Sequence, residues 1–274
     1  MTENYILACS HEEMNPNRRN TMEDVHRIIP KLCNDENISY FAVYDGHGGR
    51  HIVDFLEETL ENNIYQELQI QDDASILDRI GRAYVMTDAL SRQDNLTTSG
   101  STAVSALIRK TNEGKFLYIA NVGDSRAVLC SSHDENMNPA QTSCGYIGLR
   151  LSHDHTADDP EEQERIKNSG GFISRGRVLG ILAVSRSFGD HGMKDFIIAR
   201  PHLREINLNN GKYPFFILAC DGLWDVITDQ EAIELVLESI ESNGGPYEGV
   251  AELLVETAID RGTTDNVSAI VVFL

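Results

Sequence analysis

Behind the glycine pair Gly48-Gly49, apolar residues recur at every fourth position. Ile52, Leu56, Leu60, Ile64 and Leu68 make one stripe, and the spacing predicts a long amphipathic helix packed by a single face. A second helix should follow, with N-cap chemistry from Asp72 and Asp73 and a buried face of Ile76, Ile80, Ala83, Tyr84 and Thr87; its end is expected near residues 91 to 95. From residue 101 the period changes. Short β-rich runs at 102 to 108, 116 to 120 and 127 to 130 are broken at Asn112-Glu113-Gly114 and Gly123-Asp124-Ser125, which reads as an antiparallel meander. Polar residues 132 to 146, with Asn, Pro and Gly, predict an exposed loop.

Asp159-Pro160 opens a short helix with proline at its first position, and Gly170-Gly171 stops it. Thr228-Asp229-Gln230-Glu231 fits a capping box, and a last helix is expected from Pro246 to about Asp260, with Gly262 as its stop. The chain closes on an apolar run at 267 to 273, the pattern of a strand covered on both faces. Helices, meander, strands, helices and strand in that order point to stacked antiparallel sheets flanked by helix layers. With no internal repeat and no low-complexity linker, residues 1–274 read as a single domain.

Composition narrows the partners. A formal charge of −20 disfavours a nucleic-acid backbone or an anionic membrane surface. Cys9, Cys33, Cys130, Cys144 and Cys220 are odd in number and widely spaced, which suits reduced thiols and a cytoplasmic or nuclear location. No stretch is long and apolar enough to span a bilayer, and the N-terminus lacks a basic segment followed by an apolar run, so a soluble protein is expected. The Asn-x-Ser/Thr triplets at Asn37, Asn95 and Asn266 are then chance matches.

Four acidic segments carry the candidate chemistry: Arg19-Asn20-Thr21-Met22-Glu23-Asp24, Asp45-Gly46-His47-Gly48-Gly49, Asp221-Gly222-Leu223-Trp224-Asp225 and Thr264-Asp265-Asn266. Asp45 and Asp221 each close an apolar, strand-like run, so their carboxylates can be aimed rigidly. Carboxylates gathered from distant parts of a chain, without a Cys-x-x-Cys or His-Glu-x-x-His pattern, suit hard oxygen-seeking cations such as Mg²⁺ or Mn²⁺.

Together with Ser99-Gly100-Ser101-Thr102-Ala103, residues 121–126 and residues 182–190, these segments resemble the metal-dependent protein Ser/Thr phosphatases called protein phosphatase 2C, of the small single-domain type found in fungi and protists. The resemblance runs from about Arg19 to the last residue. It implies an α+β fold of four layers, two antiparallel sheets flanked by helix pairs, and hydrolysis of phosphoserine and phosphothreonine on proteins by a water bridging two divalent ions. By the same resemblance Asp45 bridges both ions, Asp221 and Asp265 hold one, and Glu23 and the Gly46 carbonyl hold the other. Asp24 lies behind them as an acceptor, and Asp124 and Asp225 match positions that hold a third metal in some members. Arg19, rather than its neighbour Arg18, would fork onto the phosphate, and His47 would protonate the leaving alkoxide. Phosphoproteins, signalling kinases among them, are the implied substrates; separately, no long exposed apolar stripe demands a dimer, so a monomer is expected. Residues 153 to 200 correspond to a variable flap beside the site, and Thr156 stands where the family often has lysine.

Other readings compete at single positions. Asp124 and Asp225 could hold a turn or cap a helix, Thr102 could merely pack, and Arg186 and Asp190 read as loop organisers outside the site. His153-Asp154-His155 resembles a chelating cluster but lacks further ligands at zinc spacing, so a surface or structural role leads. Residues 144–150 match the Cys-x5-Arg spacing of cysteine-dependent phosphatases. Ser143 replaces their usual histidine, Ile147 their central glycine, and no amphipathic helix follows Arg150 at once, so Cys144 is set aside. A catalytically silent binding protein and a hydrolase of small phosphorylated metabolites are the alternative functions.

Overall fold

The computed structural model describes residues 6–92, 98–132, 145–209 and 211–274. Two antiparallel sheets stack face to face. The first runs β1 (Ala8–Glu13), β14 (Val267–Phe273), β13 (Phe215–Ala219), β7 (Arg126–Ser132) and β8 (Tyr146–Arg150). The second runs β11 (Phe188–Gly189), β4 (Gly100–Ser101), β3 (Ile38–His47), β5 (Ala103–Thr111), β6 (Gly114–Val122) and β12 (His202–Asn207), with β2 (Asp24–Ile29) also paired to β3. Helices α1 (His51–Gln69) and α2 (Ile76–Leu90) cover the second sheet, while α5 (Asp229–Ser242) and α6 (Val250–Asp260) cover the first. This is the expected α-β-β-α sandwich.

The continuous apolar runs make this layering possible because successive strand residues face opposite ways. In β13, Phe216 and Leu218 point between the sheets, while Phe215, Ile217 and Ala219 pack towards α5 and α6. In β3, Phe41 and Val43 enter the inter-sheet layer, and Tyr40, Ala42 and Tyr44 lie under α1 and α2. Phe41 meets Phe216 edge-on across the layer, ring centres 6.0 Å apart. Every residue of β14 is buried, which fits its place between β1 and β13 with packing on both faces. Between β8 and β12 the chain folds around α3 (Pro160–Asn168) and the β9 (Ile173–Ser174) and β10 (Arg177–Val178) hairpin, with a small core of Ala157, Ile166, Val178 and Ile197.

Several boundaries differ from the pattern-based expectation. The cap of α2 is Ser75, whose hydroxyl accepts from the Asp78 amide, because the Asp72 carboxylate is taken by Arg79 and Arg82. The last helix begins at Val250 instead of Pro246: Tyr247 turns to bond Ser239 of α5, and residues 246 to 249 stay outside the helix. The expected meander is also interrupted. β5 and β6 form a hairpin, but Gly123-Asp124-Ser125 carries the chain into the other sheet, where β7 pairs with β13 and β8. Thr102 lies between β4 and β5 and does not open a strand. Most of the expected loop at 132 to 146 is outside the described residues; Ser132 ends β7 and Tyr146 begins β8. The capping box at Thr228 and Glu231 and the Asp159 cap with Pro160 behind it form as expected.

Candidate metal centre

Backbone contacts at one edge of the sandwich bring the acidic segments together. Asp24 and Asp45 are cross-strand partners of β2 and β3, and the Gly46 amide donates to the Glu23 carbonyl at 3.2 Å. A Cβ on Gly46 would lie 2.6 Å from that carbonyl, so only glycine permits the approach. On the other sheet, Asp221 opens α4 (Asp221–Trp224) directly after β13, and a Cβ on Gly222 would come 2.0 Å from the Asn266 carbonyl. That close passage seats Asp265 beside Asp221. Asp124 arrives on the crossover between the sheets. Asn266 and Asn15 tie the N-terminal segment to the 263–266 turn: Asn266 Nδ2 donates to Met14 and Thr21 carbonyls, its Oδ1 accepts from the Glu23 amide, and Asn15 Nδ2 donates to Thr263 and Asp265 carbonyls.

One oxygen each from Asp45, Asp124 and Asp221 lie within 4.8 Å of one another. Burial, followed by the repulsion of Asp221, raises both Asp45 and Asp124 well above the ordinary carboxylate range. Burial and Asp265 push Asp221 up to about 6, and burial with Asp221 and Asp265 pushes Asp24 up to about 7. Asp221 Oδ1 and Asp24 Oδ2 are buried with no hydrogen-bond donor. Asp45, Asp124 and Asp221 are half-buried and Asp24 is buried, and carboxylates so closely spaced, two of them with an unsatisfied oxygen, are costly unless cations join them. Hard oxygen donors of this kind fit small divalent ions.

A cavity of about 350 Å³ is lined by eight of the sequence-predicted positions: Arg19, Glu23, Asp45, Gly46, His47, Asp124, Asp221 and Asp265. Two do not reach it. Asp24 is 3% exposed and lies outside the lining, and Asp225 is exposed at the C-cap of α4. Arg19 is turned onto the centre itself, with one guanidinium nitrogen ion-paired to Asp265 Oδ2 and Nε donating to the Thr264 carbonyl at 3.1 Å. His47 Nε2 bonds Asp190 Oδ2 at 2.8 Å. Asp190, set aside on sequence grounds, therefore touches the site. Its companion Arg186 does organise the loop, through Glu162. Thr102 lines the cavity, its hydroxyl bonded to Ser125 at 2.6 Å and its amide donating to the Asp45 carbonyl at 2.9 Å. Arg177 on β10 also reaches the rim, which sequence reasoning missed. Its signal was an arginine in the flap.

The decoys have structural partners of their own. Asp154 pairs with Arg126 and Arg150, His153 with Asp159, and His155 is buried with its pKa lowered to about 3, chiefly by burial and then by Arg186. Arg150 ends strand β8 and also pairs with Asp229, so no helix follows it to form an anion-binding loop. Cys144 lies outside the described residues.

The family profile described as "Protein phosphatase 2C" matches residues 9–267. Protein phosphatase 2C homolog 1 of Schizosaccharomyces pombe is 34% identical over 271 residues, covering 98% of this chain and 73% of that protein. Protein phosphatase 2C homolog 1 of Saccharomyces cerevisiae is 34% identical over 276 residues, covering 96% and 92%. Among solved structures, the serine-threonine phosphatase 2C from Toxoplasma gondii superposes with a TM-score of 0.76 at 21% identity, covering 100% of this chain and 96% of that one. At that identity the likeness concerns the fold.

Proposed function

Because the chain belongs to the protein phosphatase 2C family of metal-dependent protein serine/threonine phosphatases, we propose that Mg²⁺ or Mn²⁺ at the Asp45–Asp124–Asp221 centre serves the hydrolysis of its phosphoserine and phosphothreonine substrates. The observation that carries this reading is the convergence of the three carboxylate oxygens within 4.8 Å. Asp45, Glu23, Asp221, Asp265 and the Gly46 carbonyl would hold two ions, and the position of Asp124 in the same cluster favours its joining them directly or holding a third. Divalent ions bound in such a pair supply an activated water and neutralise charge on the phosphoryl oxygens.

The chain's own groups then have separate tasks. Arg19 is half exposed and lies at the cavity wall, so its guanidinium can exchange the Asp265 carboxylate for two phosphate oxygens once cations occupy Asp265. His47 holds the proton that the departing serine or threonine oxygen needs. Asp24, behind the ligands, adds negative charge that favours cation binding. The Cys220 thiol accepts from the Ser268 amide, and the oxygen donors that converge here favour hard cations over zinc. We further assign the chain as one catalytic domain acting as a monomer on phosphoproteins, signalling kinases included, in the cytoplasm or nucleus. No helix among the described residues is long and apolar enough to cross a membrane.

A phosphothreonine peptide tests the reading. Turnover should require added Mg²⁺ or Mn²⁺, cease in EDTA and return when the ion is restored. Full activity after exhaustive chelation would overturn it, and preference for a small phosphorylated metabolite over the peptide would redirect it.

A further inference from the structure

His47, Gly100 and Gly189 stand side by side on three adjacent strands, His47 opposite Gly100 between β3 and β4, and Gly100 opposite Gly189 between β4 and β11. The His47 side chain passes over the central glycine to reach Asp190, the residue after Gly189. A Cβ at Gly100 would lie 2.1 Å from Asp190 Oδ2 and 2.5 Å from His47 Nε2, closer than any real contact. The glycine leaves the space through which this hydrogen bond runs.

Asp190 is held there at a conformational cost. Its backbone is left-handed, φ 49° and ψ 38°, which disfavours a residue with a side chain. The amide of Asp190 donates to the Ser99 carbonyl at 2.8 Å, and its own carbonyl accepts from Met193 at 2.7 Å. From α2, Asp88 accepts from the Gly189 amide at 2.9 Å and pairs with Lys194, which donates to the Ser187 carbonyl at 3.0 Å. The Asp190 side chain is 1% exposed, and the Ser187 hydroxyl donates to the same Oδ2 at 2.5 Å. With the carboxylate accepting from both groups, the imidazole supplies its Nε2–H. Nδ1 has no protein partner among the described residues and is the ring nitrogen left for substrate.

We propose that Asp190 is a positioning residue for the phosphatase reaction, fixing His47 as the Nε2–H tautomer so that the proton given to the leaving oxygen departs from Nδ1. The inference rests on the assignment of His47 as the acid. In the step, the Nδ1–H bond of the imidazolium breaks as the bond from phosphorus to the serine or threonine oxygen breaks; the proton passes to that oxygen, and a neutral imidazole remains on Asp190.

Nitrogen-15 NMR of the imidazole rings, on the whole protein with Mg²⁺ and again in EDTA, reads the tautomer directly. Neutral His47 should carry its proton on Nε2 in the parent and become a mixture in Asp190→Asn. In parallel, Asp190→Asn should reduce kcat on a phosphothreonine peptide by roughly 10–10²-fold, less than the roughly 10²–10⁴-fold of general acid catalysis because the acid itself is kept, with KM little changed and a much smaller loss on p-nitrophenyl phosphate. Adding Asp190→Asn to His47→Ala should cost nothing more. A parent His47 that carries its proton on Nδ1, or a loss equal on both substrates, overturns the inference even if Asp190→Asn folds poorly, since the first is read without any variant. If His47→Ala itself is indifferent to the leaving group, the acid assignment falls first, and the role of Asp190 falls with it.

Discussion

Replacing Asp24 with asparagine should stabilise the protein without metal and weaken its hold on metal. Asp24 is wholly buried, one of its oxygens lacks a donor, and its pKa rises from an ordinary 3.8 to about 7, through burial and then through Asp221 and Asp265. The folded state therefore keeps a proton that the unfolded chain has already released, and stability falls as pH rises between those two values. Below about pH 4 this cost is absent; above about pH 7 it is complete. At about 1.4 kcal/mol per pH unit the ceiling is about 4 kcal/mol, and relaxation and water entry around a coupled cluster reduce the expected gain to about 2. For a chain of this size that gain raises Tm by roughly 4–8 °C. The assay is thermal unfolding of parent and Asp24→Asn in EDTA at pH 8 and at pH 4.5, followed by titration with Mg²⁺ at pH 8. The variant should gain at pH 8, gain little at pH 4.5, and need more Mg²⁺ for half-maximal activity. A gain equal at both pH values, or a loss at pH 8, would refute the electrostatic reasoning.

Asp45→Asn and Asp221→Asn should each lose nearly all turnover and most of the metal-induced rise in Tm, while Cys144→Ser behaves like the parent; loss of activity in Cys144→Ser with normal metal binding would revive a thiolate mechanism. Arg19→Ala should weaken inhibition by free phosphate and lower kcat/KM, with lysine restoring only part, because a point charge cannot replace the fork. Unchanged phosphate inhibition in Arg19→Ala would move that role elsewhere. His47→Ala should cost roughly 10²–10⁴-fold on a phosphothreonine peptide and far less on p-nitrophenyl phosphate, whose phenolate leaves without help. Parallel plots of log kcat against leaving-group pKa for parent and variant would count against the acid role.

Asp45 and Asp221 were legible because each follows a short, continuous apolar run that reads as a strand buried on both faces, and a strand end has a direction. The helix stripes were legible for the same local reason. Gly123-Asp124-Ser125 was not, since a tight turn between two apolar runs looks the same whether the runs pair or part into different sheets. Asp72 and Ser75 are both good caps, and the competing demand of Arg79 and Arg82 for the aspartate is a tertiary fact. Asp190 reads as a loop organiser from its sequence because its partner His47 is 143 residues away, and spacing along the chain says nothing about a bond that crosses three strands. Arg19 could be named from its place before Glu23 and Asp24, but its clasp on Asp265 required the two chain ends to meet.

The acidic centre draws Glu23, Asp45 and Gly46 from one sheet and Asp221 and Asp265 from the other, with Asp124 on the strand-to-strand passage between them. Neither sheet alone presents a binding site, so cations cannot template the early chain; their grip begins only after the two sheets have stacked. Divalent ions should consequently leave the refolding rate nearly unchanged and slow unfolding, acting as a late clamp across the seam, a partition that stopped-flow measurements with and without Mg²⁺ would reveal.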